Sequence, residues 1–599
     1  MLHAALVAFA ALIAASTATF RSPGSVEYTL RVDAADLSTV SVDMRIRAAP
    51  AGFAVAMATH AEYDDQYWRY LTDMTGTSAR GAVTVTREDS SVWHVTGPAG
   101  DVTISYRVHY PLSPPAQQGS WKAHLTPNGG LIGGPHSFLY LVGGEHHAVR
   151  VTLALPRGWS VATGLTPAGN PGEFTAPGAE VLIDSPMLVG ELRTWPFTIN
   201  GVPHHLAYLG HPGGASFDSV RFVSDVERMA RETVKMFGAM PYREYQFLFE
   251  DGTSGGLEHV NSVSIGARSA DLAREPNSYL GQIAHEYFHT WNEVHLRPAT
   301  WIGLRHVSPE PTGELWWAEG VTLYYADLML RRAGLHTTDS TRLAHLERLV
   351  TAYLANPSHG MVSLEHVSRE FNLPTGGNGD FTPSMYTQGE VVGLALDLMI
   401  RDSSNGARSL DDAMRDLTRR FTPAQGYTGA DIEHAVSAAC GCDVQAFFDR
   451  YVRRAGAVDF DAALAVLGLR TAVTWEPARN ADGALWPDLR VSGYVSAGER
   501  TPRLQIWFPA TVWARAGLHT GDRVVSWNGA PVADPQQLRS AIGKLRVGDT
   551  ARIVVSRTGG DITVPVVVTG YDRPIVRIED LPGATAAQRA RRAKWVAGR

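Results

Sequence analysis

Cysteine is nearly missing from this chain: Cys440 and Cys442 are the only two in 599 residues. Two thiols one residue apart cannot build a disulfide framework, and a Cys-x-Cys bridge is geometrically demanding, so the pair reads as a helix-end feature open to oxidation after export. Lysine is almost as scarce, with Lys122, Lys235, Lys544 and Lys594 making up the whole set. The arginine excess is a compositional bias without mechanistic content. Net charge is only -7, and no basic run occurs before the last residues, which argues against a nucleic-acid partner. Long apolar runs are missing too, so no integral membrane span is expected. The run from Ala4 to Ala15 is too short to cross a bilayer as a helix, and Ser16-Thr17-Ala18 follows it. Despite an n-region without Lys or Arg, residues 1–18 read as a signal peptide, implying a periplasmic or secreted protein.

What the chain does have is length, enough for three to four cores. From about Val26 to the 190s, apolar residues alternate with period two: Val26, Tyr28, Leu30 and Val32, then Val40, Val42, Met44 and Ile46, then Val102, Ile104, Tyr106 and Val108, then Val149, Val151, Leu153 and Leu155. Pro- and Gly-rich breaks separate the runs, which predicts an antiparallel β-sandwich over 19–198. His146, His147, His204 and His205 lie in or at the exit of this region. Adjacent strand residues face opposite ways, so they read as solvated histidines rather than ligands. Near Asp218 the period shifts: Phe222, Val226, Met229, Thr233 and Met236 mark a helix stopping at Gly238. Mostly helical patterns then run to 470, with stops at Pro357 and Gly456.

Inside this helical region stands His285-Glu286-Tyr287-Phe288-His289. Two imidazoles four apart share one helix face and can bind one metal ion, and the Glu between them can take a proton from a water whose pKa the ion lowers to about 7. Leu280, Ile283, Ala284, Tyr287, Phe288 and Trp291 recur at helical spacing, with Ser278 available as N-cap. A catalytic site of this kind needs a third protein ligand. Glu319, at the start of a second helical pattern through Leu323, Tyr324 and Leu328 to Gly334, is one candidate. His295 is the other: with it the motif reads His-Glu-x-x-His-x-x-Asn-x-x-His, one residue from the metzincin pattern, with Asn292 in place of Gly and Met385 available as a Met-turn. Glu293, Glu310 and Glu314 read as surface charges.

Several separated segments resemble one family. Gly255-Gly256-Leu257-Glu258-His259, the stretch from His285 ending in Thr290-Trp291-Asn292, Arg297-Pro298, Leu315-Trp316 leading to Glu319-Gly320, and Thr322-x-Tyr324-Tyr325 occur in order. Tyr386-x-x-Gly389, Leu396-Asp397, Ile400-Arg401 and Phe447-Phe448-x-x-Tyr451-Val452 follow. Together they resemble the glycyl aminopeptidases, zinc metallopeptidases of the gluzincin group with a thermolysin-like catalytic domain, placed here at 199–470. The resemblance implies one Zn2+ per chain on His285, His289 and Glu319, with Glu286 as general base. It implies that Glu258, in a loop with Gly255 and Gly256, holds the free amino group of a peptide substrate, and that Tyr386 donates to the developing oxyanion. The relatives read Tyr-x-Lys-Gly where this chain has Tyr386-Thr387-Gln388-Gly389. The resemblance also gives Tyr245–Glu250, a strand by its pattern, the role of an edge that pairs with the substrate backbone.

After Thr471 the pattern turns strand-like, with one short helix near Gln536 to Ile542. Arg515-Ala516-Gly517-Leu518, Gly521-Asp522, Val524-Val525 and Asn528-Gly529 resemble a bacterial PDZ domain, assigned to 471–573, with Asn528-Gly529 as a hairpin turn. This implies a peptide or protein C-terminus as ligand, with Val491–Val495 the best carboxylate loop. The Ala- and Arg-rich residues 574–599 read as a tail, helical or disordered. The expectation is thus a multidomain α+β protein, an exported zinc aminopeptidase removing small N-terminal residues such as Gly or Ala. The alternatives are a zinc endopeptidase completed by His295, and a PDZ peptide-binding protein whose peptidase domain has decayed.

Overall fold

The computed structural model describes residues 25–59, 66–110, 119–302, 307, 310–336, 339–371, 377–495 and 501–599. The leader-like segment lies outside them. Two compact units emerge, one of residues up to 113 with 122–191, the other of 114–121 with 192–599.

The first unit is built of β-strands. Its largest sheet has seven strands in the order Thr166–Pro167, Glu173–Ala176, Val149–Ala154, Val26–Asp33, Asp36–Ala49, Gly100–His109 and Leu71–Thr77. Two four-stranded sheets complete the unit. Along Val26–Asp33 every second residue is buried, as the alternation requires when one sheet face meets a core. One pairing departs from the antiparallel expectation: Val26–Arg31 runs parallel to Val149–Ala154. Period-two patterning fixes which face is buried but not the direction of a neighbour, so this was invisible in the sequence.

The second unit opens with a five-stranded sheet. Its strands are β1 (Leu192–Ile199), β2 (Val202–Leu209), β3 (Tyr245–Asp251), β4 (Gly256–Glu258) and β5 (Ser262–Ala267), in the order β1-β2-β3-β5-β4. Between β2 and β3 runs α1 (Ser219–Phe237), capped by the Asp218 carboxylate on Arg221 N and ended by left-handed Gly238. β3 is not the edge that the resemblance implied. It lies parallel between β2 and β5, buried at all seven positions, Gln246, Glu250 and Asp251 among them. The sheet's edges are β1 and β4, and β4 is the one that carries Glu258.

The helical part comprises α2 (Leu280–Phe288), α3 (Val321–Arg332), α4 (Asp339–Ala355), α5 (Met385–Ser403), α6 (Leu410–Arg420) and α7 (Gly429–Cys440). Ser278 does not cap α2. Its hydroxyl donates to the Glu275 carbonyl at 2.6 Å, and the helix begins two residues later. Of His146, His147, His204 and His205, His204 is not solvated: it is fully buried, with Nε2 2.9 Å from the Tyr242 hydroxyl, and burial pushes its pKa down to about 4. Cys440 and Cys442 form a disulfide where α7 ends.

From α7 the chain passes to β6 (Leu469–Pro477), then to a six-stranded PDZ sheet with its own core. This comprises β7 (Val491–Tyr494), β8 (Arg503–Ile506), β9 (Arg523–Trp527), β10 (Ala530–Pro531), β11 (Thr550–Arg557) and β12 (Gly560–Val567), with helices α8 (Val512–Arg515) and α9 (Pro535–Gly543). Asn528 and Gly529 both take positive φ in the turn joining β9 and β10. Val491–Tyr494 is a strand, at the sheet's outer edge, not a loop. The last residues are not a loose tail. β13 (Asp572–Asp580) pairs along its whole length with β6, and α10 (Ala586–Val596) buries Trp595 and Val596 in the helical core. The PDZ sheet is therefore inserted between the two strands of a ribbon, and the chain returns to the catalytic unit after it. No helix among the described residues is long and apolar enough to cross a membrane.

Candidate active site

Helix α2 presents His285 and His289 one turn apart, and their Nε2 atoms face each other at 3.0 Å. Glu319 reaches the same point from a π-helical turn, Trp316–Gly320, that leads directly into α3. Its Oε2 lies 3.2 Å from both Nε2 atoms. A tetrahedral ion with ligands at about 2.0–2.1 Å spaces neighbouring donors by roughly 3.3 Å, so these three atoms already have the spacing of three corners. The donor set, two imidazoles and a carboxylate, suits a zinc-like ion.

The supporting contacts fix which ring atoms point inward. His289 Nδ1 lies 3.0 Å from the Asn292 carbonyl and 3.2 Å from Glu293 Oε2, which leaves Nε2 as the ligating atom. Glu293 is thus no surface charge: it is buried, at φ +134, behind the second imidazole. Burial alone favours a neutral His289, but the negative charges of Glu319 and Glu293 outweigh it and raise its pKa well above the usual value. Glu319 is held far below the carboxylate range: burial opposes this, and the two imidazoles prevail. His285, dominated by burial, is lowered.

Asn292 joins the two ligand-bearing segments. Its side-chain Nδ2 donates to Trp317 O at 2.8 Å and Ala318 O at 3.3 Å and lies 3.0 Å from Thr322 Oγ1. A π-turn shifts the helical ladder and leaves carbonyls to be satisfied by side chains. Asn292 supplies that donor while its own carbonyl orients His289. Its role in a metzincin-like turn does not arise, since the positive φ falls on Glu293.

Among the described residues two groups have carboxylate or imidazole atoms within 4.8 Å of one another: His285, His289 and Glu319, and Glu258, Glu286 and His289. His295 is in neither. It is half-buried and bonded to the backbone of Thr418, with burial lowering its pKa. Glu310 is exposed, and Glu314 accepts from Gly429 N at 3.0 Å. Glu258 ends the edge strand β4. Gly256, two residues before it and on the same face, is pressed against the general-base candidate: a Cβ there would meet Glu286 Oε1 at 2.5 Å. Gly255 lies beneath the ring of Trp121, a residue no sequence pattern marks, brought in by a bridge between Gly119 and Ser254.

Tyr386 stands in the first turn of α5, its ring centroid 6.4 Å from that of His285. Gln388, where relatives have Lys, is buried and donates to His359 O at 2.5 Å, so it serves packing. The remaining motif residues are also structural. Asp397 accepts from Tyr324 and Arg401, both at 2.7 Å, tying α3 to α5, and Phe448 packs edge-on against Trp316.

Two histidines on α2, a glutamate from the turn leading into α3 and a second glutamate between the histidines come together beside a mixed sheet, a donor set that suits a metallopeptidase. Family models agree: residues 27–191 match the peptidase M61 N-terminal domain, 278–392 the M61 glycyl aminopeptidase and 509–568 a PDZ domain. The chain thus carries the two domains of an M61 glycyl aminopeptidase, which makes it a metallopeptidase, together with a PDZ domain. Comparison with curated proteins finds no match. Among solved structures, the fold is shared with an aminopeptidase N family protein from Idiomarina loihiensis, at 19% identity and a TM-score of 0.75 over 95% of this chain and 100% of that one. An M1 zinc metallopeptidase from Deinococcus radiodurans aligns at 17% identity and TM-score 0.44, over 70% of this chain and 93% of that one. Yeast LTA4 hydrolase aligns at 13% and 0.44, over 74% and 70%.

Proposed function

We propose that this peptidase is a zinc aminopeptidase that removes small N-terminal residues, Gly or Ala, from peptides, with His285, His289 and Glu319 as metal ligands. The leader-like run Ala4–Ala15 supports action outside the cytoplasm. The observation that carries the reading is the closeness of Glu258 to the catalytic carboxylate: ligand-type atoms of Glu258, Glu286 and His289 lie within 4.8 Å of one another. A residue's amino nitrogen and its own carbonyl carbon are about 2.5 Å apart by standard bond geometry. A carboxylate this near the metal can therefore hold the ammonium only of the residue whose own peptide bond is cut. An endopeptidase has no use for it.

A zinc ion on the three ligands would act as a Lewis acid, easing ionisation of water and polarising the scissile carbonyl. The chain's own groups do the rest. Glu258 pairs with the substrate ammonium and sets the register. The free edge of β4 offers backbone groups beside it, a place for the extended substrate to lie. Glu286, held against Gly256, takes the water's proton and passes it to the leaving amine. Tyr386 donates its hydroxyl proton in a hydrogen bond to the oxyanion.

Free and N-acetylated alanyl dipeptides test this, with the parent beside Glu258→Ala, Glu319→Ala and His295→Ala. The parent should cleave only the free peptide, and Glu319→Ala alone should lose zinc. Equal cleavage of both peptides would sink the aminopeptidase reading, and zinc lost in His295→Ala but kept in Glu319→Ala would sink the ligand set.

A further inference from the structure

The PDZ domain meets the catalytic helices at one well-defined place, the segment just before Tyr386. Asp380 Oδ1 accepts from Thr520 N at 2.6 Å, and Asp380 Oδ2 lies 2.7 Å from His519 Nδ1. Two residues on, Thr382 donates through both its N–H and its Oγ1 to the carbonyl of Trp507, each at 2.9 Å. That carbonyl also accepts from Ser358 Oγ at 3.1 Å. Asn356 completes the clasp from the catalytic side, its Nδ2 donating to Thr382 O at 2.7 Å. Ser384 then caps α5 by accepting from Thr387 N at 3.2 Å, and Tyr386 is two residues further.

Two loop residues held by five hydrogen bonds, two on Asp380 and three on Thr382, are more than a linker needs. A helix interior holds its own geometry through its hydrogen-bond ladder, but a first turn depends on the chain entering it. Downstream, Gly389 pins α5 against Gly320. Upstream, between residue 377 and the Ser384 cap, Asp380 and Thr382 are held by Thr520, His519, Trp507 and Asn356. The docked PDZ groups sit after β8 and before β9, apart from the outer edge of β7 and from α9, so the domain's peptide-binding edge is not consumed by the dock.

We propose that the PDZ domain is part of the active-site scaffold: through Asp380 and Thr382 it positions the Tyr386 hydroxyl over the reacting carbonyl. Asp380 and Thr382 are positioning residues. The proposal rests on Tyr386 being the oxyanion donor, and the test separates the two ideas. The full-length zinc enzyme is assayed on alanine p-nitroanilide as parent, Asp380→Ala, His519→Ala, Tyr386→Phe and the two combinations with Tyr386→Phe. Asp380→Ala should lower kcat about tenfold, with KM and zinc content unchanged, and His519→Ala should do so by a smaller factor. In the Tyr386→Phe background neither should cause further loss, because the group they position is gone. Equal losses in both backgrounds, or parent-like kcat in Asp380→Ala, would overturn the proposal while leaving the aminopeptidase reading intact. Tyr386→Phe with parent kcat would instead overturn the role of Tyr386 itself. His519 is exposed, so its variant decides the matter if Asp380→Ala fails to fold.

Discussion

Gly320 and Gly389 meet backbone to backbone: a Cβ on Gly320 would lie 2.5 Å from Gly389 Cα, and one on Gly389 would lie 2.5 Å from Trp316 O. The residue beside Gly320 is Glu319, and one turn before Gly389 is Tyr386. The crossing therefore sets the spacing of Glu319, the proposed ligand, and Tyr386, the proposed oxyanion donor. Gly389→Ala should destabilise the catalytic unit by roughly 1–3 kcal/mol, the usual range for overpacking, and should lower kcat together with zinc affinity. Thermal unfolding and zinc titration read the two effects. A variant with parent stability and activity would show that the helices part freely here.

Gly256 has a narrower job. Its missing Cβ makes room for Glu286, so Gly256→Ala should push the general base aside without disturbing the sheet. We expect kcat to fall by about 10²-fold or more, the scale of general acid–base catalysis, with unchanged circular dichroism and zinc content. A loss seen only in KM would mean that β4 contributes substrate pairing and leaves Glu286 alone.

Asn292→Ala removes the side chain that bridges the two ligand segments. The carbonyls of Trp317 and Ala318 would lose a buried donor, a cost of roughly 1–3 kcal/mol, and zinc should bind about 10–100-fold more weakly. Competition with a chelator measures the affinity. Unchanged affinity would reduce Asn292 to a packing residue.

These residues show where the sequence was legible. The His-Glu-x-x-His spacing brought His285 and His289 to one point because a helical repeat is a local property. Glu319 and Tyr386 came through family resemblance, since no local pattern says which distant helix approaches. Trp121, Glu293 and the Asp380 clasp were hidden because each is defined by tertiary approach alone. Tyr245–Glu250 was recognised as a strand yet misplaced as an edge, because an apolar run shows burial on both faces only once its neighbours are known.

His204 gives a pH signature. Its folded pKa of about 4 lies below the ordinary 6.5, so the buried ring stays neutral while the unfolded chain takes up a proton. Its stabilising contribution is whole above pH 6.5 and shrinks as pH falls toward 4, by roughly 3 kcal/mol at most. The difference in Tm between parent and His204→Gln should narrow across that window. A constant difference would mean that the ring is charged in the folded protein or reached by water.

The insertion of the PDZ domain has a temporal consequence. Arg332 donates to Gly598 O across 266 residues of chain, and Trp595 lies under the guanidinium of Arg342, 4.2 Å from its ring centroid. On the ribosome, the helices that carry the metal ligands emerge long before the segment that closes their core. The PDZ sheet is complete before that segment is made. The inserted domain can thus fold as a unit while the catalytic core still waits for the segment that closes it.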